Sequence, residues 1–129
     1  MATSPTFAAT PRSAFVNIST GNTSRTASGT TSLTSLFVAG SSGSRVDQIV
    51  VRATSSTSVG TVRFWIYNGS GNATLLDEIS VSSITPSATD PAFNVSKTYN
   101  NLFLPSGYTL YVCPHNSESF NVFAFGGDF

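Results

Sequence analysis

The sequence predicts an all-β chain: an antiparallel β-sandwich of jelly-roll type, with about eight strands and an extended N-terminal arm. Three observations carry this. Segments rich in Val, Ile, Thr, Phe and Tyr recur at intervals of about ten residues, with side chains alternating along them. No stretch sets apolar residues three and four apart within a run of Ala, Leu, Glu or Lys, so helical signals are nearly absent. Gly, Pro, Asn and Ser gather between the periodic segments, where tight turns need them.

Residues 1–12 hold Pro5 and Pro11, with Phe7 as the one bulky apolar side chain, and read as a flexible arm. Residues 13–129 then form a single domain, a size that one core supports. The first strand is expected at 13–19. The second and third, at 31–39 and 45–54, are separated by the turn Ser41-Ser42-Gly43-Ser44. The fourth and fifth, at 61–68 and 73–82, flank Asn68-Gly69-Ser70-Gly71-Asn72, a short hairpin loop. Thr85 and Pro86 break the chain before a sixth strand at 91–97. Pro105, Ser106 and Gly107 precede the seventh at 108–113, and the eighth is placed at 119–125.

Alternation indicates what covers each strand. In the fifth, Leu75, Ile79 and Val81 share a face with Asp77, opposite a more polar set of Leu76, Glu78 and Ser80, as in a half-buried strand. The fourth differs, because Val62, Phe64 and Ile66 are backed by Arg63, Trp65 and Tyr67. The seventh and eighth repeat this: Tyr108, Leu110 and Val112 back onto Thr109, Tyr111 and Cys113, and Phe120, Val122 and Ala124 back onto Asn121, Phe123 and Phe125. A sandwich offers each strand one core, so these three need a second cover, from long loops or from another chain.

Charge narrows the function. Six basic residues balance six acidic ones, and charged residues are 9% of the chain, against about 25% in an average domain. Ser and Thr supply the polarity instead, at 39 of 129 residues. With no basic stripe, nucleic-acid binding is disfavoured. A single Cys113 and a single His115 give no disulfide and no zinc set, and no spaced carboxylate cluster suggests another metal, so no cofactor is expected. Neither a signal peptide nor a membrane span is readable, which points to synthesis in a cytosol.

Catalysis finds little support. Asp77 and Glu78 are adjacent in a strand and so point to opposite faces. A triad of His115, Glu118 and a serine lacks the strand-turn-helix motif that would expose its nucleophile. No enzymatic activity is expected. Trp65 and Tyr67 with Tyr108 or Tyr111 suit a sugar-binding platform, but large aromatics more often pack in interfaces. Arg63, Trp65, Tyr67 and Phe123 are therefore read as subunit-packing residues. Phe7, Thr10, Pro11 and Arg12 are read as contacts made by the arm.

The segments Gly43-Ser44-Arg45-Val46-Asp47-Gln48-Ile49 and Leu102-Phe103-Leu104-Pro105-Ser106-Gly107-Tyr108-Thr109-Leu110, with the terminal stretch from Phe120-Asn121-Val122 to Gly126-Gly127-Asp128-Phe129, resemble small all-β proteins encoded beside capsid genes in tailed bacteriophages, among them head decoration or cement proteins. The similarity runs over residues 33–129 and rests on turns and strands. It implies a jelly-roll-like structural virion protein, made in the host bacterial cytoplasm. Such a protein sits on the capsid exterior, commonly as a homotrimer, and joins major capsid protein subunits. The alternative is a receptor- or carbohydrate-binding domain of a tail fibre or a lectin. Because the chain is uncharged overall with a pI near 6.5, light scattering of the purified protein should peak near that pH. A flat profile across the pI would contradict this.

Overall fold

A computed structural model describes residues 8–129. It contains eight strands: β1 (Thr10–Ile18), β2 (Thr34–Val38), β3 (Ser44–Ala53), β4 (Gly60–Tyr67), β5 (Thr74–Val81), β6 (Asn94–Leu104), β7 (Thr109–Pro114) and β8 (Phe120–Asp128). They form two four-stranded antiparallel sheets, ordered β1-β8-β3-β6 (sheet A) and β2-β7-β4-β5 (sheet B). Only the β4–β5 hairpin stays within one sheet. There Gly69 and Gly71 hold φ of 94° and 70°, values L side chains avoid, and the Asn68 side chain accepts the Ser70 amide at 3.1 Å.

The inner faces meet in one core. Val46, Ile49, Val51, Val122 and Ala124 from sheet A pack with Phe37, Val62, Phe64, Leu110 and Val112 from sheet B. All are fully buried, and truncating a core phenylalanine such as Phe64 to Ala costs about 3–5 kcal/mol.

The two open sides of the sandwich are closed by polar contacts. At the β5/β6 side, Asp77 accepts from Lys97 Nζ and from the Tyr99 hydroxyl, the latter at 2.7 Å, linking the two sheets. At the β1/β2 side, Arg12 donates to the Val38 carbonyl at 2.7 Å and to Asp128 at 3.0 Å. Its guanidinium also lies 4.2 Å from the centre of the Phe37 ring.

Three expectations are corrected. β1 begins at Thr10, so Thr10, Pro11 and Arg12 are ladder residues opposite Asp128, Gly127 and Gly126 and do not belong to an arm. Phe7 lies outside the described residues. β6 runs on to Leu104, well past Lys97, because an irregular ladder sets residues 99–101 between the pairs Gln48↔Thr98 and Val46↔Leu102. In β5 the ladder passes from Phe64↔Asp77 to Trp65↔Leu75, leaving Leu76 as an extra residue. That bulge moves Leu75 off the face it was expected to share with Ile79 and onto the outer face beside Trp65.

The β3 ladder slips against β8 as well, between Val46 and Gln48. At Gly126 an added Cβ would fall 1.8 Å from the Arg45 carbonyl oxygen, so this position admits no side chain. Gly126→Ala should destabilise the fold by at least about 2 kcal/mol, since main chain must move to admit the methyl group. Urea unfolding measures it, and an unchanged midpoint would refute the packing described.

Candidate interaction surface

Sheet B and sheet A treat their outer faces differently. Residues 19–33, between β1 and β2, form a loop laid across the outer face of sheet B. Ala27 and Leu33 from this loop pack with Tyr67, Leu75 and Tyr111 around a cluster of Trp65, Ala73 and Cys113. Trp65 is 0% exposed and its indole N–H donates to Cys113 Sγ at 3.3 Å. Burial pushes the Cys113 thiol up, with the Trp65 hydrogen bond and the Arg63 charge opposing, so it is kept from acting as a thiolate.

Arg63 shares this face and is 1% exposed. A buried guanidinium requires acceptors. Nη1 donates to the Asn22 carbonyl at 2.9 Å, and the two terminal nitrogens lie 3.3 and 3.2 Å from His115 Nδ1. Because arginine only donates, His115 accepts through Nδ1, which assigns its ring proton to Nε2. Arg63 Nε is 3.6 Å from Glu78 Oε2, and Arg25 of the loop donates to Glu78 Oε1 at 2.6 Å. Glu78 therefore joins the loop to β4. Arg25 holds its carboxyl below the usual range, with burial opposing. The loop is pinned elsewhere by main chain: Asn22 N to the Pro114 carbonyl and the Ala73 amide to the Gly29 carbonyl, both at 2.8 Å.

These contacts settle several expectations. Arg63 and Trp65 are buried within their own chain and do not reach a subunit contact. Tyr67 is half-buried against Tyr111, ring centres 5.9 Å apart. The second cover for β4 and β7 is a loop. The sugar platform is not assembled, because Trp65 presents no face to solvent. Glu118 is not brought to His115, since it accepts the Ser58 amide at 2.7 Å. Asp77 and Glu78 point apart, as expected, and each is engaged by a cation.

The outer face of sheet A has no such cover among the described residues. Register places Phe15, Phe123 and Val50 in one row across β1, β8 and β3, and Ser13, Phe125 and Gln48 in the next. Phe15 is 76% exposed and Phe125 38%. Phe123 is half-buried between them, with ring centres 6.0 Å from Phe15 and 6.3 Å from Phe125. Beyond them Phe103, 49% exposed, leans on Phe129 at 5.4 Å. Beside the second row, at the β3 slip, lies a shallow groove of about 540 Å³ lined by Pro11, Arg12, Ser13, Asp47, Gln48, Phe125 and Gly126. Charge is sparse here, and Arg45 and Asp47 pair with each other at 2.7 Å. Of the residues singled out in the sequence, this face gathers Pro11 and Phe123, and Arg12 where it borders the groove. Phe15 and Phe103 were not singled out.

No family model, curated protein or solved structure matches the chain.

Two ion pairs of β5 set a pH dependence, Arg25–Glu78 between loop and sheet and Lys97–Asp77 between the two sheets. Glu78 is held below the ordinary carboxylate range, and so is Asp77, where burial pushes up but the hydrogen bonds from Lys97, Tyr99 and the Glu78 amide outweigh it. Their stabilisation is present above the unfolded values of about 3.9 and 4.3 and is lost as pH falls toward the lower folded values. Trp65, the sole tryptophan, reports the loop directly. Arg25→Ala should raise acrylamide quenching of Trp65 at neutral pH, and Glu78→Gln should remove part of the acid-induced rise seen in the unaltered protein. Equal quenching in all three would refute the clasp.

Proposed function

We propose that this chain is a jelly-roll structural protein of a virion, a capsid decoration or cement protein. It docks on the exterior of the shell and joins neighbouring major capsid protein subunits. The strand orders β1-β8-β3-β6 and β2-β7-β4-β5, with all connections but one crossing between sheets, support the jelly-roll reading. The observation that carries the function is the uncovered outer face of sheet A. It presents Phe15, Phe123, Phe125 and Phe103, with Phe125 at the edge of a groove whose charged residues Arg12 and Asp47 are already paired within the chain, whereas sheet B spends a fifteen-residue loop on covering the equivalent side. Isolated exposed apolar residues are ordinary, but a contiguous row of them marks a contact site. A surface of Ser, Thr and Asn around it loses less on desolvation than one of Lys and Glu. The resemblance in the turns around Gly43, Pro105 and Gly126 supplies the kind of partner. Binding then acts by covering surface shared between shell subunits, with no chemistry at the contact. The rival reading, a receptor- or carbohydrate-binding domain, drew on Trp65, which is buried.

Electrophoresis of purified particles tests this. The chain should appear at a copy number comparable to the major capsid protein, and Phe125→Ser combined with Phe103→Ser should weaken binding to shells lacking it by roughly tenfold or more. Absence from particles, a copy number suited to a tail tip, or unchanged binding of the double variant would overturn the assignment.

A further inference from the structure

Among the described residues four strand edges are open in the two sheets, and three of them carry bulges, interruptions or charges that discourage pairing. β2 is five residues long and its ladder slips at Leu36. β5 bulges at Leu76 and bears Asp77 and Glu78. β6 has its ladder interrupted across residues 99–101 and bears Lys97. Short strands, bulges and edge charges are the usual protections against another strand adding on.

β1 is long and free of bulges; its one such protection is Pro11, near its N-terminal end, which leaves residues 12–18 open to pairing. Its ladder with β8 runs unbroken from Thr10↔Asp128 to Ile18↔Phe120, and among the described residues β8 is its only neighbour in the sheet. Its one charged side chain, Arg12, is turned onto Asp128 and the Val38 carbonyl. At its middle stands Phe15, 76% exposed, the most exposed aromatic side chain among the described residues.

We propose that the free edge of β1 is paired, antiparallel, by β1 of a second copy of this chain, across a two-fold axis at Phe15. In that register Phe15 faces the second copy's Phe15, Ala14 faces Val16 and Ser13 faces Asn17. The row Val50, Phe123, Phe15 then continues through the axis into the same row of the second copy, and two four-stranded sheets become one of eight strands. Directly opposed aromatic residues are favourable cross-strand neighbours.

Charge singles out a second copy as the occupant. Arg12 falls opposite Ile18, so no like charges meet, and the strand offers no unpaired charge to attract a basic or an acidic partner segment. An edge pairing with itself also satisfies isologous symmetry, the commonest in oligomers. Seven residues of each strand, 12–18, overlap in this register; at about 3.4 Å each they give a ladder of roughly 24 Å, and the Phe15 of each copy adds about 150–250 Å² toward the roughly 800 Å² per partner of a standard interface. Such a contact closes at two copies. The three-fold arrangement implied by the sequence resemblance would have to join different surfaces.

The test is sedimentation of the full chain in the absence of shells, so its outcome is separate from that of capsid binding. The unaltered protein should sediment as a dimer. Phe15→Lys and Phe15→Glu, substitutions at an exposed position, should each weaken dimerisation about tenfold or more by opposing like charges at the axis. Mixing the two variants should restore a dimer, and Phe103→Lys on the same face should leave it intact. Hydrogen exchange should show β1 amides becoming protected as concentration rises, with β6 amides unchanged. A monomer or trimer at all concentrations, dimers that survive both Phe15 substitutions, or equal dissociation by Phe103→Lys would overturn the proposal.

Discussion

Two four-stranded sheets share one core, so two outer faces are left over, and the treatment of those faces determines most of what else the chain does. The inner faces account for themselves: alternating Val, Ile, Leu and Phe meet in a dry layer. The outer face of sheet B carries Trp65 and Arg63, groups that water cannot be allowed to reach on one count and that must be paired on the other. Residues 19–33 meet both demands, with Ala27 and Leu33 over the indole and the Asn22 carbonyl on the guanidinium. Removing any one acceptor would strand a charge in a buried site, which costs far more than the contact itself contributes. The loop is thus held in place by what lies beneath it as much as by its own turns.

The open sides follow the same logic in a smaller way. Asp77 with Lys97 and Tyr99, and Arg12 with Asp128 and Val38, each span the gap between sheets where apolar packing thins out. Partly exposed ion pairs of this kind contribute little to stability. What they add is registration, fixing how far one sheet slides over the other. Burial and the Asp77 carboxylate also hold the Tyr99 phenol protonated well above its ordinary range, so that hydroxyl remains a donor.

All eight strands were legible because period-two alternation and turn residues are local signals. The overrun of β6 was not, since Thr98, Tyr99, Asn100 and Asn101 lack alternation and are strand only because β3 lies beside them. The bulge that moves Leu75 outward was hidden for the same reason, as a register slip is a property of two strands and not of one. Double-faced apolar strands correctly signalled a second cover, yet residues 19–33 look like a polar linker, with Ala27 and Leu33 as their few apolar groups, and so gave no hint that they supply it. Arg63 read as a subunit-packing residue because nothing local records that the Asn22 carbonyl and His115 Nδ1, with the Glu78 carboxylate nearby, converge on it within the same chain. Phe15 was overlooked because Ala14, Phe15 and Val16 in succession do not reveal which of them faces out.

The position of β8 has a consequence for the order of synthesis. It is the last of the eight strands in sequence but sits inside sheet A, between β1 and β3. Until it emerges from the ribosome, β1 has no partner in its sheet, and β3 pairs with β6 alone. Sheet A therefore cannot be assembled as the chain is made, and its apolar inner face must wait, exposed, for residues 120–128. Long-range pairing of this kind folds slowly and leaves a window for misassociation among nascent chains. A chain truncated before Phe120 would lose the middle of a sheet, where a cut of equal length at an edge would only narrow it.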